Sequence, residues 1–427
     1  MGCVEISDST WTFIMTHRGE DVRDLALHAK HDDAVDLPFA LEQIAGLQRA
    51  AVKLPEWAAR DGLIFPPQLA MEQCSSQFTA RYKARLAHRL VSGKGVPAPD
   101  GARPTTENEC AAPGRGPTTL VDLTGGLGVD FSYMALQFDH AIYVERQRNL
   151  CDIARHNLPL LALGHAEVVN ADSTEVLAGL EPASLVFVDP ARRGNHGQRT
   201  YAIADCTPDV LALREELLAK APLVMVKLSP MLDWHKTVAD FTGSVSEVHI
   251  ISTGNECKEL LLVLGREHCA APQVWCVNDD QTLEFIASDD GCDSGAAWDV
   301  DPDRRRWRFV YEPNASIMKA GCFDLIERRF GVRSLAPNSH LFVSSEPVAD
   351  FPGRSFAIDA ISTLGKKELR TALGGITHAN IAVRNCPISV AQLRRKLKLA
   401  DGGDVYLFAT ALRDATHVLF VTHKTDA

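Results

Sequence analysis

The sequence predicts an α/β chain whose central part is an open, mostly parallel sheet with an antiparallel last strand. A helical region precedes that sheet and two small α+β domains follow it. Three observations carry this reading. Between residues 119 and 228 the short apolar runs TLVDL, AIYVE, AEVVN, SLVFVD and LVMVKL alternate with longer stretches of helical period, which is how buried parallel strands and their crossover helices read. Two later runs, EVHIIS and KELLLVL, are separated only by TGNEC. That gap is too short for a parallel crossover, so the two form a hairpin and the sheet ends antiparallel. Ahead of the sheet, residues 91–118 hold five Gly and five Pro with almost no large apolar side chain, a composition that cannot bury a core.

Taken in chain order, residues 1–92 form the helical region. ALEQIAGLQRAAVKL has apolar residues at helical spacing, and Phe78, Tyr82, Leu86 and Leu90 recur every fourth residue to make one face. Between them MEQCSS, around Glu72, reads either as a helix start capped by Ser75 or Ser76 or as a lid over a ligand. Residues 93–118 are the linker and 119–267 the sheet domain. Residues 270–348 and 350–427 are the two small domains. In the last of these, Ser389 and Gln392 make a capping box in front of LRRKLKL.

Composition bounds the class. With 46% apolar and 23% charged residues the chain reads as an ordinary soluble protein. No apolar run approaches the ~18 residues a membrane span needs. The first residues show neither a basic leader nor an apolar signal core, and Ile6 stands where a myristoylation signal wants Ser or Thr. A cytoplasmic protein is expected, without membrane partners. Eleven cysteines are spread along the chain with no C-x-x-C pair, so neither a disulfide framework nor a metal site is expected.

The turn DLTGGLGVD follows the first strand. A dinucleotide fold would place G-x-G-x-x-G there. Gly126 and Gly128 supply the first two glycines, but Phe131 occupies the third position, where a small residue lets the helix pack beneath a pyrophosphate. Instead, Asp122-x-Thr124-x-Gly126-x-Gly128 resembles the acid-x-Gly-x-Gly-x-Gly turn of class I methyltransferases, with Thr124 at the first glycine. The resemblance implies S-adenosylmethionine as cofactor, its methionine moiety over the glycines. Glu145, ending the second strand, is placed to accept from ribose hydroxyls, as it would be in a dinucleotide fold too. Asp172, after the third strand, either faces the adenine amine or caps a helix. The antiparallel last strand, foreign to the dinucleotide fold, decides for S-adenosylmethionine.

At the fourth strand, VFVDPARRG places Asp189 and Pro190 at the carboxyl end, where ligands sit in open α/β sheets. This resembles the acid-Pro-Pro-Tyr loop of methyltransferases that modify base nitrogens, in which the acid or amide accepts from the target amine and the aromatic stacks on the flipped base. Here the aromatic is missing. DPARRG also resembles the loop of RNA 5-methyluridine enzymes, but no cysteine nucleophile lies between Lys227 and Pro230, which argues against covalent C5 methylation. Arg192 and Arg193 are either contacts to substrate phosphate or a solvated charge pair. Lys227, in a strand interior that disfavours an unpaired ammonium, either pairs with Asp189 or touches substrate.

VDLPFALEQIAG, KLPEW, MEQCSS, DLTGGLGVD, VDPARRG, KLSP, YEPNASIMKAG and RNCPISVAQLRRKLKL run along nearly the whole chain. On these residues the chain resembles bacterial class I methyltransferases with a ferredoxin-like and a THUMP-like C-terminal domain. That resemblance implies RNA, a tRNA or rRNA, as substrate. A net charge of -11 weighs against it. From Arg354 to Lys398, however, nine Lys or Arg face only two acids, and a nucleic-acid enzyme needs only a local basic face. Arg394, Arg395 and Lys398 on LRRKLKL are the candidate phosphate contacts, the other reading being a solvated helix face. The competing functions are a small-molecule or protein methyltransferase whose C-terminal domains serve dimerisation, and a non-catalytic RNA-binding protein.

Overall fold

The computed structural model describes residues 6–29, 32–66, 68–93, 116–192, 203–289 and 303–425; most of the predicted linker lies outside them. The chain divides into two compact units. One comprises Met1–Glu247 with Leu260–Ala270, the other Val248–Glu259 with Ala271–Ala427.

The first unit opens with α1 (Asp8–His17), α2 (Val22–His28), α3 (Leu37–Lys53), α4 (Pro55–Ala58), α5 (Gln68–Gln73) and α6 (Gln77–Ser92). Side chains of Ser7, Asp21 and Asp36 accept from the first-turn amides of α1, α2 and α3, which fixes where each helix begins. Ser76 caps α6 and Gly93, at φ +67°, ends it. The predicted apolar face of α6 is rotated in the structure. Of its four residues only Leu86 is buried; the interior is lined by Thr79, Ala80, Lys83, Ala84 and Ala87. Small side chains let α6 lie close to α7, and a buried carboxylate there draws Lys83 inward.

The described residues form a nine-stranded sheet from β1 (Thr119–Asp122), β2 (His140–Val144), β3 (Glu167–Val169), β4 (Leu185–Val188), β5 (Leu223–Leu228), β6 (Val245–Thr253), β7 (Glu256–Gly265), β8 (Gln273–Asn278) and β9 (Gln281–Ile286). The strand order is β9-β8-β6-β7-β5-β4-β1-β2-β3. Strands β1 to β5 pair in parallel. Their crossovers carry α7 (Val129–Met134), α8 (Arg148–Leu160), α9 (Ser173–Gly179) and α10 (Arg214–Lys220), and α11 (Trp234–Asp240) precedes β6. Leu120, Val121 and all of β4 are buried, as a strand covered on both faces requires. The chain runs outward from β1 to β3 and then returns to the other side of β1 for β4. The switch point therefore lies between β1 and β4.

The expected hairpin is present. Gly254 and Asn255, both with φ near +58°, turn β6 into β7, the geometry a two-residue hairpin demands. Strand β7 lies antiparallel against β5, with Lys227 opposite Leu261. It is inserted between β5 and β6, and β8 and β9 extend the order beyond them. The sheet is thus longer than the sequence reading had it.

In the second unit β10 (Phe309–Pro313), β11 (Arg333–Ser334), β12 (Phe342–Ser344), β13 (Gly353–Thr363), β14 (Asn380–Val383), β15 (Val405–Ala411) and β16 (His417–Lys424) form one seven-stranded sheet in the order β11-β12-β10-β13-β16-β15-β14. Helices α12 (Ala315–Ala320), α13 (Phe323–Phe330), α14 (Lys366–Ala372) and α15 (Val390–Leu397) complete it. Alternation along the strands builds two cores, one around Trp307, Phe356, Phe408 and Phe420, the other around Leu369, Leu393, Leu407 and Leu419. The two segments read as separate small domains share this sheet, since β13 pairs with both β10 and β16.

Candidate active site

The glycine turn after β1 is shaped by backbone geometry. Gly126 and Gly128 have φ +55° and +82°, values that L side chains rarely adopt. Gly125 was not singled out in the sequence, yet a Cβ there would lie 2.2 Å from Tyr143 Cε2. Tyr143 is fully buried and its hydroxyl donates to the Gly126 carbonyl. The only sequence signal for Gly125 was its doubling with Gly126. Phe131 meets the Tyr143 ring edge-on at 5.5 Å, so the residue in place of the third dinucleotide glycine is core.

Three carboxylates gather where β1, β2 and β4 end. Asp122 Oδ1 accepts from the Thr124 amide at 2.9 Å. The Thr124 hydroxyl accepts from the Asp189 amide at 2.6 Å and lies 3.4 Å from Asp122 Oδ1, to which it donates. Thr124 therefore ties β1 to β4 across the switch point. Burial, with Asp130 and Asp189 nearby, pushes the Asp122 carboxyl up to about 8, despite the bonds from Thr124. Glu145 Oε2 accepts from the Gly126 amide at 3.0 Å and Oε1 from the Gln147 amide at 2.8 Å, which fixes its carboxylate against the turn. Asp172 caps α9, accepting from the Thr174 amide at 2.9 Å and its hydroxyl at 2.6 Å. Those bonds from Thr174 hold its carboxyl below the usual range. The capping reading of Asp172 is thus present, and one carboxylate oxygen carries it.

Asp189 lies at the β4 end, its side chain 39% exposed, and Pro190 behind it is buried. Lys227 Nζ donates to Asp189 Oδ2 at 2.6 Å and to Asp130 Oδ2 at 3.3 Å. Of the two readings of Lys227, the pairing with Asp189 is made, together with a contact to a second acid, Asp130, that sequence reasoning missed. Asp130 also sits 3.1 Å from Nζ of the fully buried Lys83 and accepts from Ser75 Oγ at 2.7 Å. Burial raises the Asp130 carboxyl, but Lys83 and Lys227 outweigh it and hold it below the ordinary value. Of MEQCSS, Ser76 is the cap and Ser75 joins this cluster.

Arg192 contributes backbone to a short antiparallel ladder with Cys206; its side chain and Arg193 lie outside the described residues. In the second unit, the capping box of α15 is formed by Ser389 and Gln392. Arg394 is drawn into the fold, donating to the Ala379 carbonyl at 3.1 Å and pairing with Asp401. Arg395 and Lys398 are exposed. These three lie in a different unit from the carboxylates. Among the described residues no group of three or more His, Cys, Asp or Glu could hold a metal, and no helix is long and apolar enough to cross a membrane.

Residues 309–352 match a family model described as a ferredoxin-like domain, and residues 353–424 one described as THUMP domain-like. Among solved structures, a candidate methyltransferase from Porphyromonas gingivalis W83 is 30% identical and covers 98% of both chains, with a TM-score of 0.79. A candidate RNA methyltransferase from Pyrococcus horikoshii is 15% identical over 50% of this chain and 94% of its own, at TM-score 0.33. A SAM-dependent methyltransferase from Agrobacterium tumefaciens is 13% identical over 46% and 64%, at 0.31. Likeness as low as the last two has no bearing on function. No curated protein matches the chain.

Proposed function

The chain belongs to the family of the Porphyromonas gingivalis protein, methyltransferase-like chains with ferredoxin-like and THUMP-like domains, and we propose that it is an S-adenosylmethionine-dependent methyltransferase acting on a base nitrogen of structured RNA. The observation that carries this is the convergence of Asp122, Glu145 and Asp189 around a left-handed glycine turn at the switch point of a parallel sheet. Ligands of open α/β sheets sit there.

The residues fit the cofactor. Gly126 and Gly128 leave the backbone approachable. The carboxylate oxygens of Glu145 each accept one amide and keep lone-pair capacity for ribose hydroxyls. Asp172 at the head of α9 is the candidate adenine partner. When bound, S-adenosylmethionine supplies an electrophilic methyl group. Asp189, the most exposed member of its charge cluster, then accepts an N–H of the target amine and orients its lone pair. Buried Pro190 fixes the turn that presents it.

RNA is the reading for the acceptor because the THUMP domain-like match covers the basic run from Arg354 to Lys398. Arg395 and Lys398 are the candidate phosphate contacts in the second unit, and Arg192 and Arg193, after β4, are the candidates in the first. The test is mass spectrometry of nucleosides from total RNA of a deletion strain, complemented either by the parent gene or by Asp189→Ala. One methylated nucleoside should vanish on deletion and return only with the parent gene. An unchanged set of nucleosides would remove RNA and leave a small-molecule or protein acceptor.

A further inference from the structure

Four charged side chains contact one another in sequence from the helical region to the carboxyl end of β4. Lys83 on α6 has a side chain 0% exposed, Asp130 on α7 9%, Lys227 on β5 12% and Asp189 39%. Lys83 Nζ is 3.1 Å from Asp130 Oδ1, Asp130 Oδ2 is 3.3 Å from Lys227 Nζ, and Lys227 Nζ is 2.6 Å from Asp189 Oδ2. Ser75 Oγ donates to Asp130 Oδ2 and receives a bond from Lys83 at 3.3 Å. Two ammonium groups thus meet two carboxylates, and only the last carboxylate faces outward.

From this arrangement we infer that Lys83 and Asp130 are positioning residues for the reaction, acting through Lys227 on Asp189. The inference rests on the methyltransferase reading of the site. Stability alone does not call for such a line, because a buried ion pair is often replaceable by apolar side chains without loss. What apolar side chains cannot do is hold a third charge. Lys227 has a long, flexible stem whose ordering costs entropy, and Asp130 anchors its ammonium. Lys83 neutralises the other oxygen of Asp130. Without Lys83, Asp130 draws Lys227 toward itself and the hold on Asp189 loosens. The helical region, outside the sheet, thereby completes the reaction site, and MEQCSS gains a role through Ser75.

The test compares Lys83→Met with the double variant Lys83→Met/Asp130→Leu in the full chain. The single variant leaves a buried carboxylate short of a partner and is expected to lose both stability and turnover. The double variant removes the pair together. It is expected to regain the parental melting temperature while kcat stays lower on the order of 100-fold, the scale of a small misplacement at a reacting centre. KM for RNA and the Kd of S-adenosylmethionine should stay within about twofold of the parent, the split expected when a ground-state contact is untouched. A double variant with parental stability and parental kcat would overturn the inference. Should neither variant fold, Ser75→Ala takes their place, since it removes one bond to Asp130 without burying a bare charge. A several-fold fall in kcat supports the inference, and parental kcat overturns it. If the parent transfers no methyl group to RNA, the methyltransferase reading has failed but the positioning claim is still decided by NMR of the chain carrying 15N-labelled lysine. A protected Lys227 ammonium signal that broadens or moves in the variants supports positioning. One that stays unchanged rules it out.

Discussion

Thr124 stands where the glycine pattern of the turn begins, and the structure gives it work a glycine could not do. Its hydroxyl links the Asp189 amide to Asp122, so two candidate site residues from different strands share one side chain. Thr124→Ala removes both bonds and should cost about 1–2 kcal/mol, at about 1 kcal/mol net for a good hydrogen bond and less for the long one to Asp122. Thr124→Ser, keeping the hydroxyl, should cost less. Chemical denaturation of both variants checks the order, and equal losses would take the hydroxyl out of the account. Asp122 offers a second test. Its carboxyl is raised by burial to about 8, against 3.8 for the unperturbed group. A raised folded value means that the stability Asp122 contributes is full below the unfolded value and is lost as pH rises through the folded one. Between those limits the unfolded chain releases a proton that the folded chain keeps. Asp122→Asn cannot ionise, so its melting temperature should gain on the parent's between about pH 4 and about pH 8. Parallel curves would mean that Asp122 is ionised throughout. Asp122, Glu145 and Asp189 were legible because each closes an apolar run. Lys83 and Asp130 were not, because a lysine within a helix reads as a solvated side chain until its distant partner is known.

At the scale of elements, the same contrast separates α15 from α6. The capping box of α15 is a local contact between Ser389 and Gln392, so the start of the helix and the inward direction of Leu393 follow from spacing. The fate of Arg394 does not follow from spacing, because Ala379 and Asp401 come from other segments. The face of α6 was misread for the same reason: its interior is set by Asp130, not by the period of Phe78, Tyr82, Leu86 and Leu90. The internal bonds of Arg394 change what its helix is expected to do. Arg395→Ala/Lys398→Ala should flatten the plot of log affinity for RNA against log salt by about 1.4 to 1.8, at roughly 0.7–0.9 for each lost phosphate contact. Arg394→Ala should instead lower the melting temperature and leave that slope nearly unchanged. If the double variant kept the parental slope, the helix would be a solvated face and RNA would dock elsewhere.

For the whole molecule, the parallel half of the large sheet was legible because each strand is a continuous apolar run with a helix after it. The extension by β8 and β9 was not, since only Asp279 and Asp280 separate them and the sheet a hairpin joins is a matter of distant pairing. That residues 309–424 share one sheet was not legible on the same ground, although the two segments match separate ferredoxin-like and THUMP-like models. Charge is distributed just as unevenly. The chain carries -11 overall, while the run from Arg354 to Lys398 holds nine basic residues and two acids. Three of those nine, Arg354, Arg384 and Arg394, pair with Glu312 or Asp401 from outside it. RNA should therefore be attracted mainly by the exposed basic side chains of that run, Arg395 and Lys398 among them, and repelled by acidic surface elsewhere, over a range set by a screening length of about 10 Å at 0.1 M salt. Asp122 and Glu145, the candidate cofactor residues, are nearly inaccessible to solvent, and a ligand bound against them would be screened far less. Affinity for RNA should then fall steeply with salt and affinity for S-adenosylmethionine hardly at all. Anisotropy titrations with RNA beside calorimetry with S-adenosylmethionine, over the same salt series, measure the two slopes. An RNA affinity indifferent to salt would exclude phosphate docking on the basic run and, with it, the reason for choosing RNA over a small-molecule acceptor.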